Sequence, residues 1–316
     1  MNRPPDPAAS FTVIGPTEPV HGPLVFDSPH SWRHWPADGT PTIATPEQLD
    51  TSWDAWVDEL WVAAIGRRAP LLAARFHRAY IDANRARDDL DPALLAAPWP
   101  TPLNPAATSA RGMGLIRRDV LPGVPMAAWP LAVDEVRDRI ARCYDPYHVR
   151  LAQLVEAAHA RWGFSVHIDC HSMKTVGNAM NEDNGRPRPD LVVSDLDGAT
   201  CDGELLGWVA KALRGLGYSV GINDPYRGGE LVRRHGRPAE GRHSLQIEVK
   251  RSLYMDELRC ERHAGFAHLV LDLGRFVRGL EAELAGALGE RLKRTCPPGS
   301  STTSPVTSHP PTGVRA

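Results

Sequence analysis

The segment Ser165–Met173, SVHIDCHSM, carries the residue types best suited to chemistry. Val166 and Ile168 are apolar and β-branched, which predicts a buried strand. Its C-terminal end delivers Asp169, Cys170, His171 and Ser172, and in open α/β sheets ligands bind at that edge. An imidazole with a carboxylate two residues before it suits a metal ion, its orientation set by its neighbours. The alternative is a hydrogen-bonded histidine capping a core strand. Two further strand-like runs end in candidate groups: residues 24–26 lead to His30, and SLQIEV at 244–249 presents Glu248. Two imidazoles and a carboxylate with one open position make a catalytic zinc set. Zinc acidifies a bound water and polarises a carbonyl, while a separate carboxylate takes the proton. His30 and His171 lie far apart in the chain, so no local motif defines such a site.

The elements around these groups alternate. Residues 47–68, EQLDTSWDAWVDELWVAAIGRR, have the apolar spacing of one amphipathic helix, with Trp53, Val57, Leu60 and Trp61 on one face. On that helix Asp54 and Asp58 share a side. A short strand is expected at 76–81, followed by IDANRARDD. Residues 91–130 hold many prolines and small residues and read as a loop-rich insertion. A long helical pattern over 131–162, interrupted at Pro146, feeds the strand carrying His171. Strands at 191–193 and 218–222 flank a helix at 203–215, and 263–292 is a terminal helix or pair. The alternation predicts an α/β fold with a largely parallel sheet. Residues 1–20 are Pro-rich and expected to be loosely held. Residues 295–316, rich in Pro, Ser and Thr, are expected to be disordered.

With 316 residues the chain can bury a sizeable core. Its formal net charge of −2 gives no global attraction to nucleic acid or to an anionic membrane surface. No apolar run approaches the ~20 residues needed to cross a bilayer, and the N-terminus lacks the apolar core of a secretory signal. The five cysteines are scattered without a CxxC, which argues against a disulfide framework or a thiolate zinc site. A soluble, cytoplasmic protein is expected, with no nucleic-acid or membrane partner.

Seven blocks occur in order: PHSW at 29–32, DAWVDELW at 54–61, YIDANR at 80–85, DPYH at 145–148, HIDCHSM at 167–173, NDPYRGGELVRRHG at 223–236 and HSLQIEVKRSLYMDE at 243–257. Together they resemble the N-formylglutamate amidohydrolase family over roughly residues 22–285. The resemblance implies a phosphorylase/hydrolase-like fold related to the zinc carboxypeptidases. That is a single three-layer α/β/α domain, here residues 21–294, with a mixed, largely parallel sheet. It also implies hydrolysis of an N-acyl, typically N-formyl, acidic amino acid with one zinc ion per chain.

Carried over by position, His30 and His171 fall where that fold class places its zinc imidazoles. The carboxypeptidases take their acidic ligand three residues after the first histidine, but Arg33 stands there. An acid of the DAWVDEL segment is the implied substitute. Asp58 is preferred to Glu59, because it shares a face with Asp54 whereas Glu59 points a quarter-turn away. Glu248 takes the place of the general base, and Asp169 that of the carboxylate orienting a ligand histidine. Trp32 stands where the family more often has glycine, and is expected to narrow the pocket or to alter which acyl group fits. Formylglutamate has two carboxylates, and guanidinium binds a carboxylate in bidentate fashion. Arg85, Arg227, Arg233 and, less favoured, Arg234 are the candidates, with Asn84 hydrogen-bonding the same group. Gly228 and Gly229 allow close backbone approach.

Other residues call for plainer readings. Trp53, Trp56, Trp61 and Trp208 are packing residues. Cys170 points to the opposite face from His171 and is a small buried residue rather than a nucleophile. His34, His148, His235 and His243 are more ordinary histidines than ligands. The competing functions are a zinc deacylase or carboxypeptidase-like peptidase on another substrate, and, more distantly, a non-catalytic ligand-binding protein.

Overall fold

The computed structural model describes residues 10–36, 41–127 and 130–293. The tail expected to be disordered, and the first nine residues of the loosely held N-terminal segment, lie outside that range. Along the chain the strands are β1 (Phe11–Ile14), β2 (Leu24–Ser28), β3 (Leu71–Ala74), β4 (Asp119–Leu121), β5 (Val124–Pro125), β6 (Ser165–Met173), β7 (Leu191–Ser194), β8 (Val220–Ile222), β9 (Arg242–Lys250), β10 (Met255–Asp256) and β11 (Glu261–Arg262). The helices are α1 (Pro46–Asp50), α2 (Val57–Ile65), α3 (Ala107–Ala110), α4 (Val133–Arg139), α5 (Asp145–Trp162), α6 (Gly203–Gly215), α7 (Glu230–His235), α8 (Gly265–Leu284) and α9 (Ala287–Leu292).

Seven strands form one sheet in the order β1-β3-β2-β6-β9-β7-β8, and β4–β5 and β10–β11 are separate two-stranded hairpins. The central run β3-β2-β6-β9 is parallel, with β1 antiparallel on β3 and β7 antiparallel on β9. Side chains alternate across this sheet, and each face buries a helical layer. On one face Phe26, Ile168, Cys170 and Ile247 pack with Trp61 of α2, Val209 of α6 and Phe276 of α8. On the other Val25 and Leu72 pack with Tyr147, Leu151 and Leu154 of α5. The architecture is thus the α/β/α sandwich expected, and among the described residues no helix is long and apolar enough to cross a membrane.

Three local differences from the sequence reading matter. The predicted helix over 47–68 is two helices separated by residues 51–56. Thr45 caps the first in a reciprocal capping box with Gln48. Trp56 adopts a left-handed φ of 55° before the second, a conformation that a bulky residue rarely takes. Tertiary bonds hold the break open: Trp53 Nε1 donates to the Ser31 carbonyl at 2.6 Å and the Asp54 amide to the His30 carbonyl at 3.0 Å. Second, Pro146 does not interrupt the 131–162 helix. It lies in the first turn of α5, where its missing N–H costs little, after a π-helical stretch over Ile140–Tyr144. Third, the strand expected at 76–81 is instead β3, and 76–81 is a buried turn. The insertion at 91–130 does consist of short pieces, with a 3-10 turn, α3 and the β4–β5 hairpin as its regular structure.

Candidate metal centre and substrate cavity

β2, β6 and β9 run parallel, so their C-terminal ends meet at one edge of the sheet. His30 follows the end of β2, and His171 on β6 is the register partner of Glu248 on β9. His30, Asp54 and His171 form a buried group whose ligand atoms all lie within 4.8 Å of one another. The two Nδ1 atoms are 3.1 Å apart. Asp54 Oδ2 lies 3.1 Å from His171 Nδ1 and 3.5 Å from His30 Nδ1. Three ligands about 2.0–2.1 Å from one tetrahedral ion stand roughly 3.3 Å from each other, so the spacing fits.

The outer contacts of the group fix its polarity. His30 Nε2 lies 2.7 Å from Asp82 Oδ1, and His171 Nε2 lies 2.8 Å from Asp169 Oδ1. An imidazole that donates Nε2–H to a carboxylate leaves its Nδ1 lone pair free, the pattern found behind metal-bound histidines. For His30 this turns the Nδ1 lone pair towards Asp54 Oδ2 and His171 Nδ1. The His171–Asp169 contact is an ion pair, and the Asn84 amide lies 3.1 Å from the same His171 Nε2. A cation suits these converging groups, and so does a proton shared between the two rings. The other Asp54 oxygen, Oδ1, is held by Arg251 at 3.2 Å and Arg78 at 3.6 Å. Burial pushes the Asp54 carboxyl up, but the hydrogen bonds to His171 and His30 and the Arg78 charge hold it well below the usual range. Burial likewise opposes charge on His171, and the Asp169 carboxylate overcomes it and raises the imidazole well above its ordinary value.

Asp54, not Asp58, is therefore the acid of the group. The break at 51–56 turns Asp54 inward, whereas Asp58, already inside α2, lies 3.9 Å from Arg75 and receives the Glu59 amide at 2.9 Å. Glu59 is exposed and paired with Arg262. Asp169 lies against His171, with Oδ1 2.8 Å from Nε2. Glu248 Oε1 accepts from Gln246 Nε2 at 3.0 Å, while the buried Oε2 has no partner among the described residues. Burial, reinforced by Asp54 and Asp169, pushes the Glu248 carboxyl up to about 7.

A cavity of about 300 Å³ opens over this edge, lined by His30, His171, Glu248, Gln246, Asn84, Tyr226 and the guanidiniums of Arg78, Arg85, Arg111, Arg117 and Arg227. Asn84 and Arg85 follow Asp82 on one turn, whose Asp82 Oδ1 accepts the Asn84 amide at 2.9 Å. Asn84 Nδ2 reaches His171 Nε2 at 3.1 Å, and its Oδ1 accepts the Leu231 amide at 2.9 Å. Gly229 is needed for that approach, since a Cβ there would stand 2.3 Å from Asn84 Oδ1. Among the described residues Arg85 bonds to carbonyls alone, those of Met113 and Asn84. Arg227 reaches the cavity from the solvent side, 3.7 Å from Asp197. Arg233 does not reach it: its exposed side chain pairs with Glu230 three residues back on α7.

Trp32 is not among the cavity-lining residues, and lies under the Arg75 guanidinium at 4.8 Å beside His34. Cys170 is buried in the core layer, where burial raises its thiol well above the ordinary value. His148 stacks on His235, which meets His167 edge-on. His167 contacts Asp27 at 2.8 Å and Ser244 at 2.7 Å. That Ser–His–Asp set is fully buried and serves as a polar strut inside the fold. Missing from the sequence reading were Asp82, Arg78, Arg117, Gln246 and Tyr226. Asp82, Tyr226 and Gln246 stand inside the quoted blocks, at 80–85, 223–236 and 243–257, and their position there is the one signal the chain carried.

Two imidazoles and a carboxylate, backed by further carboxylates at the C-terminal edge of a parallel sheet, define a hydrolase-type centre able to hold a metal ion. The model of the N-formylglutamate amidohydrolase family matches residues 22–255, and the chain belongs to that family. The chain is 29% identical over 271 residues to an N-formylglutamate deformylase of Pseudomonas aeruginosa, covering 84% of this chain and 92% of that one. A deformylase of the same name from Pseudomonas putida is 29% identical over 215 residues, covering 66% and 72%. The crystal structure of N-formylglutamate amidohydrolase from Ralstonia eutropha JMP134 superposes with a TM-score of 0.79 at 43% identity, covering 88% of this chain and all (100%) of that one.

Proposed function

We propose that this chain hydrolyses N-formyl-L-glutamate to formate and glutamate with the help of one zinc ion held by His30, Asp54 and His171. The observation that carries the reading is the convergence of three buried ligand atoms at the edge of a cavity that Glu248, with one unpartnered oxygen, also lines. A nitrogen-rich set with one carboxylate favours zinc over the harder oxygen-seeking cations. When bound, that ion polarises the formyl carbonyl and acidifies a water.

The chain's own groups supply the rest. Glu248 Oε2 takes a proton from the attacking water as the new C–O bond forms. It then returns that proton to the amide nitrogen as the C–N bond breaks, releasing formate and the free amine. A carboxyl poised near neutrality suits both steps. Arg78, fixed between Asp54 and Asp82, places positive charge where the carbonyl oxygen becomes negative. Asn84 keeps the His171 ring in place, and Arg85 offers its guanidinium to a substrate carboxylate. Formate release from N-formylglutamate, measured with metal analysis of the purified protein, tests the reading. Full turnover by His171→Ala, or by protein lacking any bound metal, refutes it.

A further inference from the structure

Arg117 is 7% exposed and carries a buried Nε with no hydrogen bond. Among the described residues it makes no ion pair. The other deeply buried arginines are all matched: Arg139 with Glu135, Arg188 with Asp183 at 2.7 and 2.8 Å, Arg251 with Asp54 and Ser172. Burial and then the neighbouring Arg78 charge push the Arg117 guanidinium down to about 9. Asp82 and Asp54 act on it only at longer range. A desolvated cation without a contacting counter-charge is costly to the fold, and its place at a cavity wall points to a counter-ion that arrives with the ligand.

The surroundings locate that anion. Arg117 lines the substrate cavity and also a recess of about 90 Å³ that adjoins it beside Asp54 and Ser172. Five cations line the recess, Arg78, Arg117, Lys174, Arg188 and Arg251, against the single carboxylate of Asp54. Lys174 is half-buried, and burial, followed by the Arg251 charge, brings its ammonium down to about 8. Its Nζ has no hydrogen bond or ion pair among the described residues. Two cations are thus uncommitted in a space the size of one small polar group.

We propose that Arg117, assisted by Lys174, binds the side-chain carboxylate of the substrate and is the residue by which the enzyme prefers N-formylglutamate to neutral N-formyl amino acids. The assignment rests on the function proposed above. The α-carboxylate is attached to the carbon bearing the amide nitrogen, so it stays close to the centre, within reach of Arg85 on the Asn84 turn. The side-chain carboxylate lies two methylenes further out and enters the recess. Two substrate anions then meet two guanidiniums that make no ion pair among the described residues, Arg85 and Arg117.

The test compares wild type, Arg117→Gln, Arg117→Lys and Lys174→Gln on N-formylglutamate and N-formylglutamine, with calorimetric titration of glutarate. Arg117→Gln is expected to lower the glutamate-to-glutamine ratio of kcat/KM by about 100-fold or more and weaken glutarate binding to a similar degree. Lys174→Gln is expected to lower the ratio about tenfold, and Arg117→Lys to restore part of the loss. A ratio within threefold of wild type, or a parallel loss on both substrates, overturns the assignment. Should wild type release no formate at all, the proposed function fails and the glutarate titration decides the anion site alone. Equal glutarate affinity in wild type and Arg117→Gln then refutes it.

Discussion

His171 and Glu248 are direct register partners on adjacent parallel strands. Hydrogen bonds of the sheet, rather than a flexible loop, therefore set the distance between an imidazole of the metal group and the carboxylate that handles the proton. Glu248→Gln keeps the shape and removes the base. Turnover is expected to fall by about 10²–10⁴-fold, with metal content unchanged by elemental analysis.

The same carboxylate predicts the pH profile. Glu248 acts only when deprotonated, and burial places it near 7 before a cation is bound. A bound cation stabilises the carboxylate and draws the value lower. The kcat/KM profile is expected to rise with pH along an acid limb centred at or below about 7, and that limb is expected to vanish in Glu248→Gln. An acid limb that persists unchanged in Glu248→Gln contradicts the assignment.

Asp54 and Asp58 separate two readings of one segment. Asp54→Ala is expected to weaken metal binding at least 10²-fold, because it removes a ligand and leaves Arg78 and Arg251 without their shared carboxylate. Asp58→Asn removes only a long contact to Arg75, and activity is expected to stay within about threefold. Chelator titrations of the two variants check this directly.

Gly229→Ala is expected to destabilise the protein by about 1–3 kcal/mol, since its Cβ would press into the Asn84 amide group. Asn84 is tied to His171 and Leu231 and has little room to yield. A melting temperature lowered by several degrees, with kcat reduced as well, is the expected reading. An unchanged melt shows that the turn adapts.

Arg117 makes a prediction of opposite sign. Arg117→Met replaces an unmatched buried cation with an apolar chain of similar reach, so the unliganded protein is expected to gain about 1 kcal/mol or more, seen as a higher melting temperature. Activity on N-formylglutamate is expected to drop in the same variant.

Much of this was legible in the chain, and the boundary of what was legible has physical causes. Period-two alternation and β-branching announced the strands of His171 and Glu248 because buried strands depend on local pattern. The helix at 203–215 read correctly for a similar reason, with Asp202 capping it. Asp54 did not read correctly, because its segment has helical spacing and only tertiary bonds to Ser31 and His30 break it. Asp82 was passed over in IDANR, although its carboxylate touches His30. Arg78 and Arg117 stayed invisible, since nothing local distinguishes a buried guanidinium from a solvated one.

The alternation along β6 has one further consequence. His167, Asp169 and His171 point to one side of the sheet, while Ile168 and Cys170 pack in the apolar layer opposite. Sliding this strand by a single residue would exchange the two sets, sending imidazoles into oil-like surroundings and offering a thiol to the solvent-facing mouth. Correct threading of the nascent chain and possession of a working centre are thus one event, and a misaligned conformer would be both unstable and inert.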